Sequence, residues 1–268
     1  MLSTPGTVLV YGHRGAPRQR PENTLASFRR ARALGADGVE FDVRLTLDGH
    51  PVVLHDDTLD RTTTGSGAVS QALLSEIRSL GVRGAADGPD GEQARVPTLA
   101  ETCHVCAQEG LAMDVEIKAG ADPERVAAAV ASVLDATGWL DGATADPRSL
   151  LVTSFEAAAL RAMHAVRPAV RLGLLLGAPP EGAAVAGWAK DNWALAQEAG
   201  ARILLPRLDV LSEWAEQWDS ALPTIAWCGS LPPGLPRHLW HRPGMLGLIG
   251  DDPAQIRSCL APDAPAGC

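Results

Sequence analysis

The sequence of 268 residues predicts an α/β fold, a (β/α)8 TIM barrel formed by one domain over residues 1–268. Short apolar runs of strand length alternate with helical stretches, and eight such units fit a chain of this length. Hydrophobic residues make up 46% of the chain, which suffices for a large core. An open, doubly wound parallel sheet is the alternative, but neither a GxGxxG nor a P-loop pattern supports it.

The predicted elements follow one another in regular order. The predicted strands are Thr7–Tyr11, Val39–Val43, Leu111–Ile117, Leu150–Thr153, Val170–Leu176, Arg202–Leu205, Thr224–Trp227 and Met245–Ile249. The predicted helices are Thr24–Leu34, Leu99–Glu109, Asp122–Thr137, Ala157–Val166, Ala184–Ala199, Leu211–Ala221 and a short last helix ending at Leu260. Asn23 is the predicted N-cap of the first helix, which ends at Gly35.

One region, residues 57–97, interrupts this alternation. It begins with the polar, turn-rich segment LDRTTTGSG and contains a short amphipathic run near Leu73–Leu80. Glycine, aspartate and proline residues follow in GAADGPDG. Long loops without repeated structure often bind ligands or cover a site. The sequence therefore predicts a small subdomain, inserted after the second strand and lying over one end of the sheet.

A short hairpin precedes this insertion and carries acidic residues. Glu40 and Asp42 are two apart on a predicted strand, so their side chains share one face. A hard divalent cation neutralises such a pair well; the alternative is an edge strand with its acids in solvent. The turn at Asp48-Gly49 is too short for a parallel crossover. The returning segment Pro51–Leu54 is therefore predicted to be antiparallel, which brings His55 back toward the carboxylates.

Two other strand ends carry polar residues. Gly12-His13-Arg14-Gly15 follows the first strand, and its glycines allow a tight turn and close approach to a ligand. An ordinary surface loop is the alternative there. On the strand after the insertion, Asp114, Glu116 and Lys118 share one face. Buried charges on a strand are costly unless they are functional or paired, so a simple internal ion pair is the alternative.

On a barrel these polar residues converge, because active sites lie at the carboxyl ends of the strands. The residues at or near such ends are His13, Glu40, Asp42, Glu116, Lys118, Ser154, Trp227 and Asp251. The acids suit one divalent cation, whereas Arg14 and Lys118 suit a bound phosphate. His13 and His55 suit a general base and a general acid at neutral pH. Together these groups fit phosphoryl transfer.

The ordered motifs resemble those of the glycerophosphodiester phosphodiesterase family. The motifs are Gly12-His13-Arg14-Gly15, Pro21-Glu22-Asn23-Thr24, Gly38-Val39-Glu40-Phe41-Asp42-Val43, Thr46-Leu47-Asp48-Gly49, His55-Asp56, Arg61-Thr62-Thr63, Val96-Pro97-Thr98-Leu99 with Glu101, and Glu116-Ile117-Lys118. Any one of them is weak, but the ordered set is highly specific. The resemblance is close from Val8 to Lys118 and looser afterwards, with Ser154-Phe155, Trp227 and Asp251 as anchors.

The resemblance implies a metal-dependent enzyme that hydrolyses glycerophosphodiesters to sn-glycerol 3-phosphate and an alcohol. It implies a barrel with an inserted subdomain and assigns a role to each of eight residues. These are His13 and His55 as the acid–base pair, Glu40, Asp42 and Glu116 as ligands of one Ca²⁺ or Mg²⁺, and Arg14, Lys118 and Trp227 as substrate-binding residues. The seventh strand departs from the family pattern Trp-Thr-Val-Asn, since it continues Trp227-Cys228-Gly229-Ser230. The last strand ends Gly250-Asp251-Asp252-Pro253 rather than Thr-Asp-x-Pro.

These departures lie on the substrate side, so they concern the alcohol more than the chemistry. A lysophospholipase D-like phosphodiesterase with a long-chain substrate is one alternative function. A non-catalytic barrel that binds a phosphorylated ligand is another, although a barrel without catalysis could lose His13 or His55 freely. The expected partner is a small-molecule glycerophosphodiester, and the sequence does not predict an oligomeric state.

Composition excludes other classes of function. The net charge of −9 argues against a broad nucleic-acid surface. We expect neither a signal peptide nor a membrane span, and therefore no stable membrane association. The five cysteines are unevenly spaced and predict no disulfide framework, which favours a cytoplasmic setting. Cys103 and Cys106 form a C-x-x-C pair that indicates packed or surface thiols rather than a metal or redox site.

Overall fold

A computed structural model describes residues 8–84, 94–140, 149–213, 216, 218, 219, 222–231, 239 and 242–261 of the chain. Its strands are β1 (Leu9–His13), β2 (Gly38–Leu45), β3 (Pro51–Val53), β4 (Ala112–Ile117), β5 (Leu150–Ser154), β6 (Leu172–Leu176), β7 (Ile203–Pro206), β8 (Thr224–Trp227) and β9 (Met245–Gly250). All except β3 run parallel to their neighbours, and β1 pairs with both β2 and β9. That pairing closes eight parallel strands into the predicted barrel and excludes the open sheet.

Helices connect most of these strands. They are α1 (Leu25–Ala33), α2 (Leu74–Ser79), α3 (Leu99–Glu109), α4 (Pro123–Ala136), α5 (Ala157–Val166), α6 (Val185–Glu198), α7 (Leu208–Glu213) and α8 (Pro253–Leu260). The predicted N-cap of α1 is wrong by one residue, because the Thr24 hydroxyl accepts the Ser27 N–H at 3.2 Å. The helix α7 begins three residues earlier than predicted, since Leu208 and Leu211, one turn apart, both pack into the core.

Parts of some predicted elements lie outside the described residues. They are the strand start at Thr7, residues 85–93 of the insertion, and positions 214, 215, 217, 220 and 221 of the helix predicted at Leu211–Ala221. The strand β6 begins two residues later than predicted, because the Val170 N–H donates to the Arg167 carbonyl at 3.1 Å and closes a turn. The sequence pattern thus located the elements better than it located their ends.

Alternation along the strands separates two apolar layers. Leu9 and Tyr11 of β1 belong to a cluster inside the barrel, whereas Val10 between them packs with the layer that faces the helices. In the same way, Val39 and Phe41 of β2 face the helices. The side chains that share the inner face therefore end at one mouth of the barrel, where the polar residues lie.

A third apolar cluster lies over the hairpin that β2 and β3 form. It consists of Val52, Leu54, Leu59, Val69, Ile77, Val82 and Val96. Arg78 of α2 fastens this layer to the barrel, because its guanidinium donates to both carboxylate oxygens of Glu101 in α3, at 2.9 and 2.7 Å. The predicted antiparallel return is confirmed, since Val43 pairs with Val53 across the hairpin. The boundaries of the insertion, residues 57–97, stay a prediction.

The described cysteines include both free thiols and a disulfide-bonded residue. Cys103 and Cys106 are buried free thiols in α3, and burial raises the pKa of the Cys103 thiol to about 11, as expected for packed rather than reactive cysteines. Cys259 is disulfide-bonded, so the prediction of no disulfide framework does not hold at that position. Disulfides are more usual in oxidising compartments, and the cytoplasmic setting stays a prediction. Across the described part of the chain, none of the helices combines the length and apolar character that crossing a membrane requires.

Candidate active site

The strand register brings the predicted acidic residues together at the mouth of the barrel. His13 of β1 lies opposite Glu40 of β2, and Asp42 lies opposite Glu116 of β4. One oxygen from each of Glu40, Asp42 and Glu116 lies within 4.8 Å of the other two. The predicted cluster therefore forms from two neighbouring strands.

Burial makes this three-acid cluster costly without a counter-charge. The residues Glu40, Asp42 and Glu116 are 4%, 1% and 6% exposed. Burial, together with the charge of Asp42, raises the pKa of Glu40 well above its ordinary value and that of Glu116 to about 8. The pKa of Asp42 is instead lowered, because the charges of Lys118 and Arg14 outweigh its burial. A hard divalent cation fits such a set of oxygen ligands, since it would also hold Glu40 and Glu116 as carboxylates.

Two cationic side chains border the cluster, with Asp42 between them. Lys118 Nζ lies 3.2 Å from Asp42 Oδ1 and 2.5 Å from Glu116 Oε1. Arg14 Nε lies 3.3 Å from Asp42 Oδ2. Burial lowers the pKa of Arg14 and of Lys118, but the neighbouring carboxylates outweigh burial and leave both raised. Both side chains therefore stay cationic at the edge of the cavity.

The Gly12–Gly15 turn places Arg14 by forcing its backbone into an unusual conformation. Arg14 has φ +52°, in the left-handed region that costs a non-glycine residue free energy. Its N–H donates to Glu40 Oε2 at 3.1 Å, so the turn also fixes that acid. A Cβ on Gly12 would lie 2.1 Å from the Gly15 carbonyl oxygen, which explains why glycine is needed there.

Each of the two histidines is oriented by an aspartate. His13 Nδ1 lies 2.7 Å from Asp251 Oδ1, and His55 Nδ1 lies 2.8 Å from Asp56 Oδ1. Because a carboxylate only accepts, each neutral imidazole carries its proton on Nδ1 and leaves Nε2 as the basic atom. Burial lowers the pKa of His55 against the opposing charge of Asp42. A neutral imidazole at neutral pH suits a proton acceptor.

These side chains surround one cavity of about 220 Å³. Its lining consists of His13, Arg14, Glu40, His55, Glu116, Lys118, Phe155, Leu175, Trp227 and Ile249. One wall is aromatic, since Phe155 and Trp227 meet edge to face with ring centroids 5.8 Å apart. Seven of the eight predicted site residues line this cavity, and the eighth, Asp42, is buried beneath it in the three-acid cluster.

Sequence reasoning gave no site role to several residues that the structure brings here. Asn23 donates through Nδ2 to Asp42 Oδ2 at 2.8 Å, and Glu22 accepts from Arg14 Nη1 at 2.9 Å. Phe155 forms part of the aromatic wall, and Asp251 holds His13. The sequence had placed Asp251 at a strand end, and Phe155 and Asp251 among the anchors of the family resemblance, without giving either a role. The contacts of Glu22 and Asn23 depend on the loop before α1.

The glycerophosphoryl diester phosphodiesterase family model matches residues 13–213 of the chain. The chain belongs to this family. A Mycobacterium tuberculosis protein named probable glycerophosphodiester phosphodiesterase 1 is 36% identical over 228 residues, which cover 80% of this chain and 77% of that protein. A Caldanaerobacter subterraneus glycerophosphodiester phosphodiesterase is 47% identical over 112 residues, but only 46% of its length is spanned. Mouse glycerophosphodiester phosphodiesterase 1 is 40% identical over 126 residues, which cover 37% of the length of the mouse protein.

Solved structures of glycerophosphodiester phosphodiesterases share this barrel. An Oleispira antarctica phosphodiesterase, solved in complex with the product sn-glycerol-3-phosphate, superposes with a TM-score of 0.73. It is 27% identical to this family member, and the match covers 95% of this chain and 97% of the other. The predicted family membership is therefore confirmed by sequence and by structure.

Proposed function

We propose that this protein is a metal-dependent phosphoric diester hydrolase that converts glycerophosphodiesters to sn-glycerol 3-phosphate and an alcohol. The observation that carries the proposal is one cavity lined by two aspartate-held histidines, two cations and two acids of the three-acid cluster. Family membership and the glycerol phosphate product of the Oleispira phosphodiesterase support the substrate class. The direct test is release of glycerol 3-phosphate from several glycerophosphodiesters, with and without a chelator.

One divalent cation, Ca²⁺ or Mg²⁺, is the proposed cofactor, held by Glu40, Asp42 and Glu116. The charge count supports a divalent ion. Three carboxylates and a phosphodiester carry four negative charges, Arg14 and Lys118 carry two positive ones, and the difference is two. When bound, the cation stabilises the negative charge that builds up on the phosphate oxygens.

Arg14 and Lys118 are the proposed phosphate contacts. Both line the cavity beside the three-acid cluster, and the Nη1 of Arg14 is held by Glu22. A planar guanidinium held in this way offers a fixed fork to phosphate oxygens. The Lys118 ammonium, 5.7 Å from the centre of the Phe155 ring, adds a point charge beside the aromatic wall.

Substitution of Arg14 tests the phosphate contact. We expect Arg14→Ala to lower kcat/KM by about 10²-fold or more, because the contact strengthens as charge builds up in the transition state. Arg14→Lys is expected to restore little activity, since a point charge cannot replace a fork. Steady-state kinetics measure both effects. Arg20→Ala, an exposed arginine of the same loop, is the control, and an Arg14→Ala variant as active as this control would contradict the assignment.

The two histidines support a reaction in two in-line steps. In the first, one histidine takes the proton of the glycerol 2-hydroxyl, whose oxygen attacks phosphorus. The other histidine protonates the departing alcohol as its bond to phosphorus breaks. This step gives a cyclic glycerol phosphate, and intramolecular attack gains the proximity advantage of a unimolecular reaction. Water then opens the ring while the histidines exchange roles.

A 2-deoxy substrate tests the cyclic route. A glycerophosphodiester whose 2-hydroxyl is replaced by hydrogen has no internal nucleophile, so we expect no turnover. The phosphate contacts remain, and the analogue is therefore expected to inhibit cleavage of the natural diester competitively. Inhibition constants and product release measure the two effects. Normal turnover of the analogue would leave direct attack by water as the mechanism.

The aromatic wall favours one alternative substrate class. Phe155 is 44% exposed beside Trp227, and Leu175 and Ile249 extend the apolar lining. A lysophospholipase D-like activity on a long-chain substrate would use such a surface. Including a lysophospholipid in the product assay distinguishes this activity from cleavage of a glycerophosphodiester. In either case we propose that a single domain with an insertion at about residues 57–97 carries the activity on a small-molecule diester.

A further inference from the structure

Arg61, in the segment after the hairpin, joins two carboxylates with one guanidinium. On one side, Nε and Nη2 donate to Asp56 Oδ2 and Oδ1 at 2.6 and 2.9 Å. On the other side, Nη1 and Nη2 donate to Glu22 Oε2 and Oε1, both at 2.8 Å. Arg61 thus grips both carboxylates bidentately, which only a planar fork of donors allows.

Each of these carboxylates also holds a side chain of the active site. Asp56 Oδ1 is the atom that faces His55 Nδ1 at 2.8 Å, and Glu22 Oε1 accepts from Arg14 Nη1 at 2.9 Å. Five side chains therefore form one continuous hydrogen-bonded network, which we call the Arg61 bridge. It consists of His55, Asp56, Arg61, Glu22 and Arg14.

We propose that Arg61 is a positioning residue, which fixes the tautomer and orientation of His55 through Asp56 and the orientation of Arg14 through Glu22. This inference rests on the proposed function, in which His55 transfers a proton and Arg14 holds the phosphate. Arg61 itself is absent from the cavity lining and acts through its two carboxylates. Errors of about 1 Å in such groups can cost about 10²-fold in rate.

The charges along the Arg61 bridge support this role. Hydrogen bonds from Arg61 hold the pKa of the Asp56 carboxyl well below its usual range, so Asp56 remains an acceptor for His55. On the other side, burial raises the pKa of Glu22, but the hydrogen bond from Arg61 and the charge of Arg14 outweigh burial and leave it lowered. Removing Arg61 would leave both carboxylates free to turn away from the side chains that they orient.

The same segment offers a matched arginine without a link to the site. Arg78 also grips a carboxylate bidentately, that of Glu101, and also ties the insertion to the barrel. Its side chain is 30% exposed, compared with 48% for Arg61. A purely structural role for Arg61 would make the two arginines equivalent. A positioning role affects catalysis only at Arg61.

The kinetic test compares Arg61→Ala with Arg78→Ala on a glycerophosphodiester. We expect Arg61→Ala to lower kcat/KM by about 10–100-fold, through a lower kcat and a higher KM, because both His55 and Arg14 lose a partner. Arg78→Ala is expected to stay within about two-fold of wild type in kcat/KM, although its melting temperature falls. Equal kinetic effects of the two substitutions would overturn the proposal.

Chemical rescue adds a readout that a structural role would not change. Because Arg61 is half exposed, a free guanidinium ion can enter the space left in Arg61→Ala and bind both carboxylates. Guanidinium at millimolar concentration is expected to restore part of kcat/KM, whereas ammonium at equal ionic strength is not. Arg61→Lys is expected to recover less than guanidinium does, since one ammonium cannot bridge two bidentate partners. Absence of guanidinium rescue would also count against positioning.

A spectroscopic measurement of the His55 tautomer tests the positioning role independently of catalytic activity. In ¹⁵N-histidine-labelled protein at about pH 8, where imidazole is neutral, His55 is expected to show the Nδ1–H tautomer. A His55→Asn sample identifies its signals. Arg61→Ala is expected to show a mixture of tautomers, and Arg78→Ala the wild-type pattern. An unchanged tautomer in Arg61→Ala overturns the proposal, whereas a wild type inactive on glycerophosphodiesters overturns only the proposed function.

Discussion

Single substitution of His13 or His55 by alanine is expected to lower kcat/KM for a glycerophosphodiester by about 10³-fold or more. General acid–base catalysis by a positioned side chain contributes about 10²–10⁴-fold. The proposed path uses both histidines in both of its steps, so either loss affects each step. The double variant is expected to fall little below the single ones, because groups that act as a unit are non-additive. Steady-state kinetics on the purified variants measure this.

The pH profile of the wild-type enzyme tests the same assignment. A base and an acid with separate pKa values give a bell-shaped dependence of kcat/KM, which reports the free enzyme. Burial lowers the pKa of His55, so its imidazole stays neutral to lower pH than an ordinary histidine. If His55 is the initial base, the midpoint of the acidic limb of the kcat/KM profile is therefore expected below about pH 6.5. The remaining activity of His55→Ala is expected to lack that limb.

His104 provides the control for both measurements. It is an exposed histidine of α3, where its Nδ1 lies 2.7 Å from the Ala100 carbonyl oxygen, and it is absent from the cavity lining. We expect His104→Ala to keep kcat/KM within about two-fold of wild type, with an unchanged pH profile. A His13→Ala or His55→Ala variant that matched His104→Ala would remove that histidine from the reaction.

Local alternation along the strands explains why the sequence predicted so much of the site. Glu40 and Asp42 share one face because the period of a strand is two, and Glu116 joins them through the pairing of β4 with β2. The turn at Asp48-Gly49 likewise determined that β3 returns antiparallel. The Leu54 N–H donates to the Asp42 carbonyl at 3.0 Å, which places the next residue, His55, beside the cluster.

Contacts that depend on barrel closure or on loop conformation could not be predicted from the sequence. Asp251 orients His13 across 238 positions, and only the pairing of β9 with β1 brings the two together. Asn23 reaches Asp42 because its backbone adopts φ +56°, in the left-handed region, which displaced the predicted helix cap to Thr24. Propensity rules describe average conformations, so they miss a residue held in a rare one by its site.

Removal of the cation is expected to abolish turnover and to lower the melting temperature. Without it, Arg14 and Lys118 alone face three buried acids, and burial together with the charge of Asp42 favours the protonated forms of Glu40 and Glu116. Returning Ca²⁺ or Mg²⁺ is expected to raise the melting temperature with concentration, since a ligand at 100 times its Kd stabilises the folded state by about 2.7 kcal/mol. Thermal unfolding of chelated protein, titrated with each metal, measures the effect and ranks the two ions.

Isosteric substitutions separate this cation site from a general effect of buried acids. Glu40→Gln and Asp42→Asn keep the shape of each ligand but remove its charge, so both are expected to lose the metal-dependent rise in melting temperature together with activity. Asp114→Asn is the matched control. Asp114 is equally buried in β4 and accepts the Thr153 hydroxyl at 2.7 Å, but it lies outside the three-acid cluster. Its variant is expected to keep the metal response, and a chelated wild type with full activity would refute the cation site altogether.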